Sequence, residues 1–127
     1  MIWVDQLKEG LPEYAKDTKL NLDAVIKRSS LVPEEAEAIA LAAAFATGNG
    51  KLITFISSGI TDTKERDAAL TAGSIMAQNN VWYPYVEMAD DENLKGLPAQ
   101  LRMNAIVSHG GTTKARFEAY SLSLIHI

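Results

Sequence analysis

Glu118 is the side chain whose type and spacing come closest to acid–base chemistry. It lies in FEAYSLSLIHI, the last stretch of the chain. On a helix, Leu122 at i+4 and Ile125 at i+7 would share its face. A carboxylate among apolar side chains tends to have a raised pKa and could relay protons near neutrality. A first-turn glutamate stabilised by the helix dipole explains the same residues, so both interpretations stay open at this point.

Two further groups of residues could bind a ligand, but their surroundings favour simple turns. His109 precedes two glycines in SHGGTTK, which lacks the Lys-Ser/Thr ending and the preceding strand of a phosphate-binding loop. No carboxylate or second histidine lies at ligand spacing, so His109 is expected in an interhelix turn. The adjacent acids Asp90, Asp91 and Glu92 lack the glycine and the spaced ligands of a calcium loop, and we expect a solvated turn there.

Three aromatic residues, Trp82, Tyr83 and Tyr85, could line a pocket. Aromatic residues near a helix end more often pack into the core, so we expect structural anchors. The chain has no cysteine, and therefore contains no disulfide, thiolate nucleophile or thiolate metal site.

The composition is that of a single folded domain. The 127 residues are 47% hydrophobic and 22% charged, and a chain of this length buries roughly two thirds of its unfolded surface. The net charge of -4, with acids and bases interleaved, provides no basic stripe for a phosphate backbone, so we expect no nucleic-acid partner. The chain does not begin with a basic segment followed by an apolar one, and no apolar run could cross a bilayer. We therefore expect a cytoplasmic protein without membrane contact.

The apolar periodicity is helical almost throughout, which predicts an all-α bundle of about five or six helices in one domain, residues 1–127. The first helix is expected over LPEYAKDTKLNLDAVIKRS, residues 11–29. The second is expected to begin at Pro33, which suits a first helical position, and to end at Gly48 and Gly50.

A long helix is expected to begin at Asp62. This residue lies three positions before Glu65, the pattern of a capping box. Asn79, Asn80 and Pro84 predict where the helix ends.

The remaining segments are less clearly marked. KLITFI, residues 51–56, could be a helix or a strand. LPAQLRMNAIV, residues 97–107, is expected to form a further helix. Thr112 or Thr113 is expected to cap the final helix, which carries Glu118.

Three long segments in one order resemble a known family. They are LPEYAKDTKLNLDAV, MAQNNVWYPYVEMADDENLKGLPAQLRMNAI and FEAYSL. Together they resemble the alkyl hydroperoxidase D family of carboxymuconolactone-decarboxylase-like proteins over essentially all of residues 1–121. The resemblance implies an all-helical, cytoplasmic antioxidant enzyme that is usually a homotrimer.

In that family a Cys-x-x-Cys dithiol, reduced by a lipoylated acyltransferase, reduces the disulfide of a partner peroxiredoxin and weakly reduces hydroperoxides directly. The lipoyl group of the carrier protein is thus the electron donor, and no bound cofactor or metal is implied. The resemblance places the dithiol and the family's histidines beyond FEAYSL, outside this sequence. Only the proton-relay glutamate of the catalytic set can be carried over, to Glu118. His126 precedes the expected position of the first cysteine and is not matched to a family histidine.

The last six residues, Leu122 to Ile127, read LSLIHI. They are one translation of CTG TCT CTT ATA CAC ATC, a transposase end sequence used in DNA library adapters. We therefore expect a truncated chain with a tail that is not native, which should be kept out of fold reasoning. The alternative is that the gene itself encodes these residues, because Ser-Leu also continues the family pattern.

The expected function is that of a lipoyl-dependent disulfide reductase and hydroperoxidase, of which this chain would be an inactive part. A naturally cysteine-free relative, acting as an oligomeric binding or structural module through its Ala-rich helices, is a second possibility. A decarboxylase of the sister group is the third. It would need a lactone pocket with acid–base residues, and the sequence offers no clear set.

Overall fold

The computed structural model describes residues 1–105 and 111–125. These residues form the all-α fold that the sequence predicts, with helices α1 (Ile2–Glu9), α2 (Lys16–Leu22), α3 (Pro33–Ala46), α4 (Gly50–Gly59), α5 (Thr63–Ala89), α6 (Glu92–Lys95) and α7 (Lys114–Leu122). A 3₁₀ turn (Glu13–Ala15) precedes α2 and a π turn (Asp23–Lys27) extends it. The two described ranges contain no strand, and none of their helices is long and apolar enough to cross a membrane.

The N-terminal region contains the helix predicted over residues 11–29, which runs from Glu13 to Lys27 as a 3₁₀ turn, α2 and a π turn. It begins with α1, which the sequence did not predict, and Pro12 then has an extended backbone just before the 3₁₀ turn. Proline disfavours helix at the residue before it, which favours a break between α1 and α2 at this point. Lys8 pairs with Asp23, and Lys27 Nζ lies 2.5 Å from Asp5 Oδ1, so two ion pairs join α1 to the π turn.

The centre of the core is α3, which packs most extensively against α5. Pro33 occupies its first turn, as predicted. Ala38 and Leu41 are fully buried. A Cβ atom added at Gly73 of α5 would lie 2.6 Å from Phe45 Cγ, so the ring of Phe45 rests directly on the α5 backbone. Small residues on both helices permit this close approach.

The segment KLITFI lies within α4, so the helical alternative is correct. The side chain of Asn49 accepts a hydrogen bond from the Leu52 N–H and caps the helix. Ile56 is buried. A Cβ atom added at Gly59 would lie 2.6 Å from Trp3 Cβ, which shows how closely α4 packs against α1.

The start of α5 is as predicted, but one detail differs. Asp62 accepts hydrogen bonds from the backbone N–H groups of Lys64 and Glu65, so it is the N-cap. Glu65 does not complete a capping box, because its carboxylate bonds to other side chains in the interior.

The end of α5 is later than predicted. The helix has 27 residues, continues through Pro84 and ends at Ala89; Asp90 follows it with a left-handed φ of 48°. The predicted end at Asn79, Asn80 and Pro84 is therefore wrong. Proline removes only one backbone hydrogen bond, and because Asn80 is exposed, its carbonyl can bond to water instead.

The aromatic residues in this part of α5 are not core anchors, contrary to expectation. Tyr83 and Tyr85 are both more than half exposed, and Trp82 is partly buried. The buried residues of α5 all lie in its first half, from Glu65 to Ile75. The second half therefore presents its side chains outside the described core.

The helix predicted over residues 97–107 does not form in residues 97–103. Gln100 has a φ of 52°, and a left-handed residue interrupts a right-handed helix. Of the last four residues of this prediction, 106 and 107 lie outside the described residues.

Candidate functional site

Glu118 lies in the second turn of α7. The hydroxyl oxygen of Thr113 accepts a hydrogen bond from the Arg116 N–H at 3.3 Å, which confirms Thr113 as one of the two predicted caps. The first turn of α7 contains no acidic residue. The interpretation of Glu118 as a first-turn glutamate is therefore wrong.

The side chain of Glu118 is 59% exposed and lies 3.7 Å from Lys114 Nζ, one turn earlier. Leu122 continues this outward face and Ile125 follows in the terminal turn, both at least half exposed. The spacing thus placed Glu118 beside the expected apolar neighbours, but the described residues do not enclose it. The face is open to another group.

The opposite face of α7 is buried against α5 and α3. Phe117, Tyr120 and Leu124 are all almost fully inaccessible. The Asn80 side-chain nitrogen donates to the Leu124 carbonyl at 3.1 Å, so the turn after α7 is also joined to α5. Leu124 packs into the core although it belongs to the six residues expected to be non-native.

A buried carboxylate, Glu65, lies beneath α7. It is 4% exposed. Its Oε1 accepts from Arg116 Nη1 at 2.6 Å and from Thr112 Oγ1 at 3.0 Å, and its Oε2 accepts from Tyr120 Oη at 2.5 Å. Arg116 Nε also donates to Glu35 Oε1 at 2.7 Å. These five residues, named the Glu65 cluster below, join α3, α5 and α7.

The hydrogen bonds of the cluster decide its ionisation. Burial by itself would raise the pKa of Glu65, but the bonds from Tyr120, Thr112 and Arg116 outweigh burial and hold that pKa below its ordinary value. Burial, followed by the bond to Glu65, raises the pKa of Tyr120. The two carboxylates raise the pKa of Arg116. At neutral pH, the Glu65 carboxylate is therefore ionised and paired with the charged Arg116 guanidinium, and the Tyr120 phenol is neutral.

Comparison with known proteins gives relatives along nearly the whole chain, although no family model matches it. The chain is 35% identical over 124 residues to "Alkyl hydroperoxide reductase AhpD" of Brucella canis, covering 95% of this chain and 70% of the relative. It is 39% identical to the protein of the same name from Beijerinckia indica, covering 95% and 68%. With the Coxiella burnetii protein of that name, the identity is 42% over 123 residues, covering 92% and 69%. The chain belongs to the AhpD family of alkyl hydroperoxide reductases.

Within this AhpD-family chain, sequence reasoning identified Glu118 but missed Glu65. The spacing from Asp62 suggests only a capping-box role for Glu65, because local spacing does not reveal a partner on another helix. One signal was available: Glu65 shares a helical face with Ala69 and Ala72, at i+4 and i+7, and both are fully buried. A carboxylate in such a small-residue stripe predicts a buried, paired group.

The other candidate residues do not join this site. His109 and His126 lie outside the described residues. The acidic group begins the short helix α6 rather than a plain turn: Asp91 caps it, and Lys95 pairs with Asp90 and Glu92. In the described parts of the chain, no group of three or more His, Asp or Glu residues is arranged to hold a metal ion.

Among the described residues, a cavity lies on each of two sides of α3. The larger, about 410 Å³, lies between α1, the π turn, α3 and α4, and its lining is apolar apart from Thr47. The smaller, about 260 Å³, lies between α3 and α7 and is lined by residues that include Glu35 and Arg116. The larger cavity does not provide the acid–base pair that a lactone decarboxylase would need.

Proposed function

We propose that this AhpD-family chain belongs to a cytoplasmic antioxidant enzyme that reduces alkyl hydroperoxides. We further propose that the enzyme takes electrons from the lipoyl group of a lipoylated acyltransferase and regenerates a partner peroxiredoxin. The observation that carries the proposal is the identity of 35% to 42% with proteins named alkyl hydroperoxide reductase, along nearly the whole chain. The donor and the peroxiredoxin partner come from the family resemblance.

The redox step needs two thiols, and the 127 residues contain none. In the family, the more exposed thiol attacks the peroxide or the partner's disulfide as a thiolate, and the second thiol closes an intramolecular disulfide. Methionine cannot replace a thiolate nucleophile in this reaction. Residues 1–127 alone are therefore expected to lack activity.

We propose that Glu118 accepts the proton released when the thiolate forms. Its placement supports this role, because the carboxylate is accessible on the outward face of α7 and the helix itself is fixed by buried residues on its other face. The exposed face of α7 around Glu118 leaves room on which an apolar segment of the complete enzyme can pack. Packing there would surround Glu118 with apolar groups, which raises the pKa of a carboxylate towards the working range of a base.

The experiment that tests this proposal begins with the DNA downstream of the Ser121 codon at the source locus. The product of the reading frame found there is purified and assayed for reduction of tert-butyl hydroperoxide by dihydrolipoamide. We expect a Cys-x-x-Cys motif and activity, and a loss of at least about 100-fold in Glu118→Gln, the usual contribution of a general base. Glu87→Gln, which changes an exposed glutamate of α5, is the matched control and should keep its activity.

A frame without cysteine, or a full product with no hydroperoxide reduction, would refute the proposal. The cysteine-free binding or structural module would then be the function to test. An exposed apolar stripe on α5 is compatible with this second candidate as well as with an oligomeric enzyme.

We propose that the protein is a homotrimer and that α5 contributes to its interface. Val81, Tyr85 and Met88 follow one another at helical spacing, and each is more than half exposed. An apolar stripe of this kind on a helix favours association with another protein surface. Sedimentation equilibrium of the double variant Val81→Asp, Met88→Asp should give a smaller mass than the parent. Thr54→Asp, on the exposed side of α4, should leave the mass unchanged; equal masses for all three proteins would refute this use of α5.

A further inference from the structure

We propose that Glu65 is a positioning residue, which fixes the rotation and register of α7 on the bundle and thereby sets where the Glu118 carboxylate points. This inference rests on the proposed function only for the role given to Glu118. The effect of Glu65 on the position of α7 does not depend on that role.

Glu65 accepts hydrogen bonds from three groups on α7 or just before it. Arg116 and Tyr120 are one helical turn apart on α7, and Thr112 lies just before the helix. Bonds at three levels along the axis fix both the translation and the rotation of a helix. Because Arg116 also bonds to Glu35, the position of α7 is defined relative to α3 as well as α5.

The apolar contacts of α7 specify its position less well than these hydrogen bonds do. The buried apolar side chains of α7 and its terminal turn pack against α3 and α5, whose facing surfaces are rich in alanine. Alanine side chains leave only shallow depressions on a helix surface. Hydrophobic packing tolerates changes in side-chain shape as long as the total buried volume stays the same. Hydrogen bonds to a buried charge depend strongly on distance and angle, so a displaced α7 would leave Glu65 unsatisfied.

Glu118 and the Glu65 cluster lie on opposite sides of α7. Glu118 lies midway between Arg116 and Tyr120 in sequence and therefore projects from the other side of the helix. Rotation or translation of α7 would carry Glu118 with it. The cluster acts on the outward carboxylate through the rigid helix, without touching it.

The test measures the position of Glu118 by pulsed electron–electron resonance. Nitroxide labels are attached through Glu118→Cys on α7 and Thr54→Cys on α4, and the absence of native cysteine makes these the only labelled sites. The positioning role is removed with Glu65→Met, Arg116→Met and Tyr120→Phe together. Replacing both members of a buried ion pair by apolar residues of similar volume is often neutral for stability. The two remaining polar members of the cluster are only partly buried and can bond to water, so a change in position can be separated from a loss of stability.

We expect the parent to give one narrow distance peak. The triple variant, with helical circular dichroism and a urea midpoint near that of the parent, should give a broadened distribution with population displaced by about 5 Å, one helical turn. The control, Arg66→Met with Glu87→Met, removes the same pair of charges from α5 outside the cluster and should keep the narrow peak. Glu65→Met alone removes all three hydrogen bonds to Glu65 and leaves Arg116 paired with Glu35; it is measured in parallel in case the triple variant does not fold.

A narrow peak at the parental distance in either folded cluster variant would overturn the proposal, because apolar packing alone would then suffice to place α7. The measurement needs neither thiols nor activity. A failure here therefore leaves the proposed enzymatic function standing, and an inactive full-length product leaves the distance result standing.

Discussion

The Glu65 cluster makes a strong prediction about Arg116→Met. The side chain of Glu65 is only 6% exposed, and the guanidinium is the cation that compensates its charge. Removing one partner of a buried ion pair costs about 3–5 kcal/mol. Because Tyr120 and Thr112 still donate to the carboxylate, we expect the lower end, about 3 kcal/mol at pH 7. A chain of this length has a total stability of roughly 6–19 kcal/mol, so the loss is large.

The cost should depend on pH with a definite sign. In the parent, the pKa of Glu65 is lowered, so its stabilising contribution is present above the unfolded value of 4.5 and is lost as pH falls through the folded pKa. In Arg116→Met, burial without the cation raises the pKa of Glu65, and protonation relieves the penalty as the pH falls. The difference in stability between parent and variant should therefore be greatest at pH 7 and shrink towards pH 4.

Urea unfolding followed by circular dichroism at pH 7 and pH 4 measures both effects. With a slope of about 1.5 kcal/mol per molar urea, a loss of about 3 kcal/mol lowers the midpoint at pH 7 by about 2 M. Arg66→Met is the control, since its partner Asp67 is 66% exposed and such pairs contribute little. A midpoint shift below about 0.5 M at pH 7, or an equal loss at both pH values, would refute the account of Glu65 as a buried, compensated charge.

Four other substitutions test further features, each by urea unfolding. Gly73→Ala should destabilise by about 1–3 kcal/mol, because its Cβ would lie 2.6 Å from Phe45 Cγ; no loss would show that the ring moves freely. Asp62→Ala removes the N-cap of α5 and should cost about 1 kcal/mol, with Asp62→Asn nearly neutral. Pro84→Ala should stabilise, by up to about 3 kcal/mol, because it restores a helical hydrogen bond within α5; destabilisation would contradict the continuous helix. Glu118→Gln should change stability by less than about 0.5 kcal/mol, because its ion pair is exposed; a larger loss would assign Glu118 a structural role.

Local sequence predicted the starts of α3, α5 and α7 correctly, because each is determined by residues close to it in the chain. Pro33 marked the first turn of α3, Asp62 the cap of α5 and Thr113 the cap of α7. These residues act on the backbone within three positions of themselves. Their effect can be predicted without knowing any other part of the chain.

Local sequence was a poor guide where propensity competes with packing and solvent. Proline has the strongest helix-breaking tendency of all residues. The helix α5 nevertheless continues through Pro84, because the carbonyl that loses its helical hydrogen bond there is exposed and can bond to water. The region 11–29 is predicted as one helix, and its helical residues run from Glu13 to Lys27, but they change from a 3₁₀ turn to α2 and then to a π turn. In both places the outcome depends on surroundings that spacing does not describe.

The sequence by itself determined that this is an all-α chain, that it carries no thiol, and that Glu118 projects from the same side of its helix as Leu122. These follow from composition and from a period of 3.6 residues, which are properties of the chain alone. Only the tertiary structure decided that Glu118 is open while Glu65 is buried, because burial depends on which helices meet. Glu65 and Arg116 are 51 residues apart in sequence, and their 2.6 Å contact exists only because α7 folds back across α5.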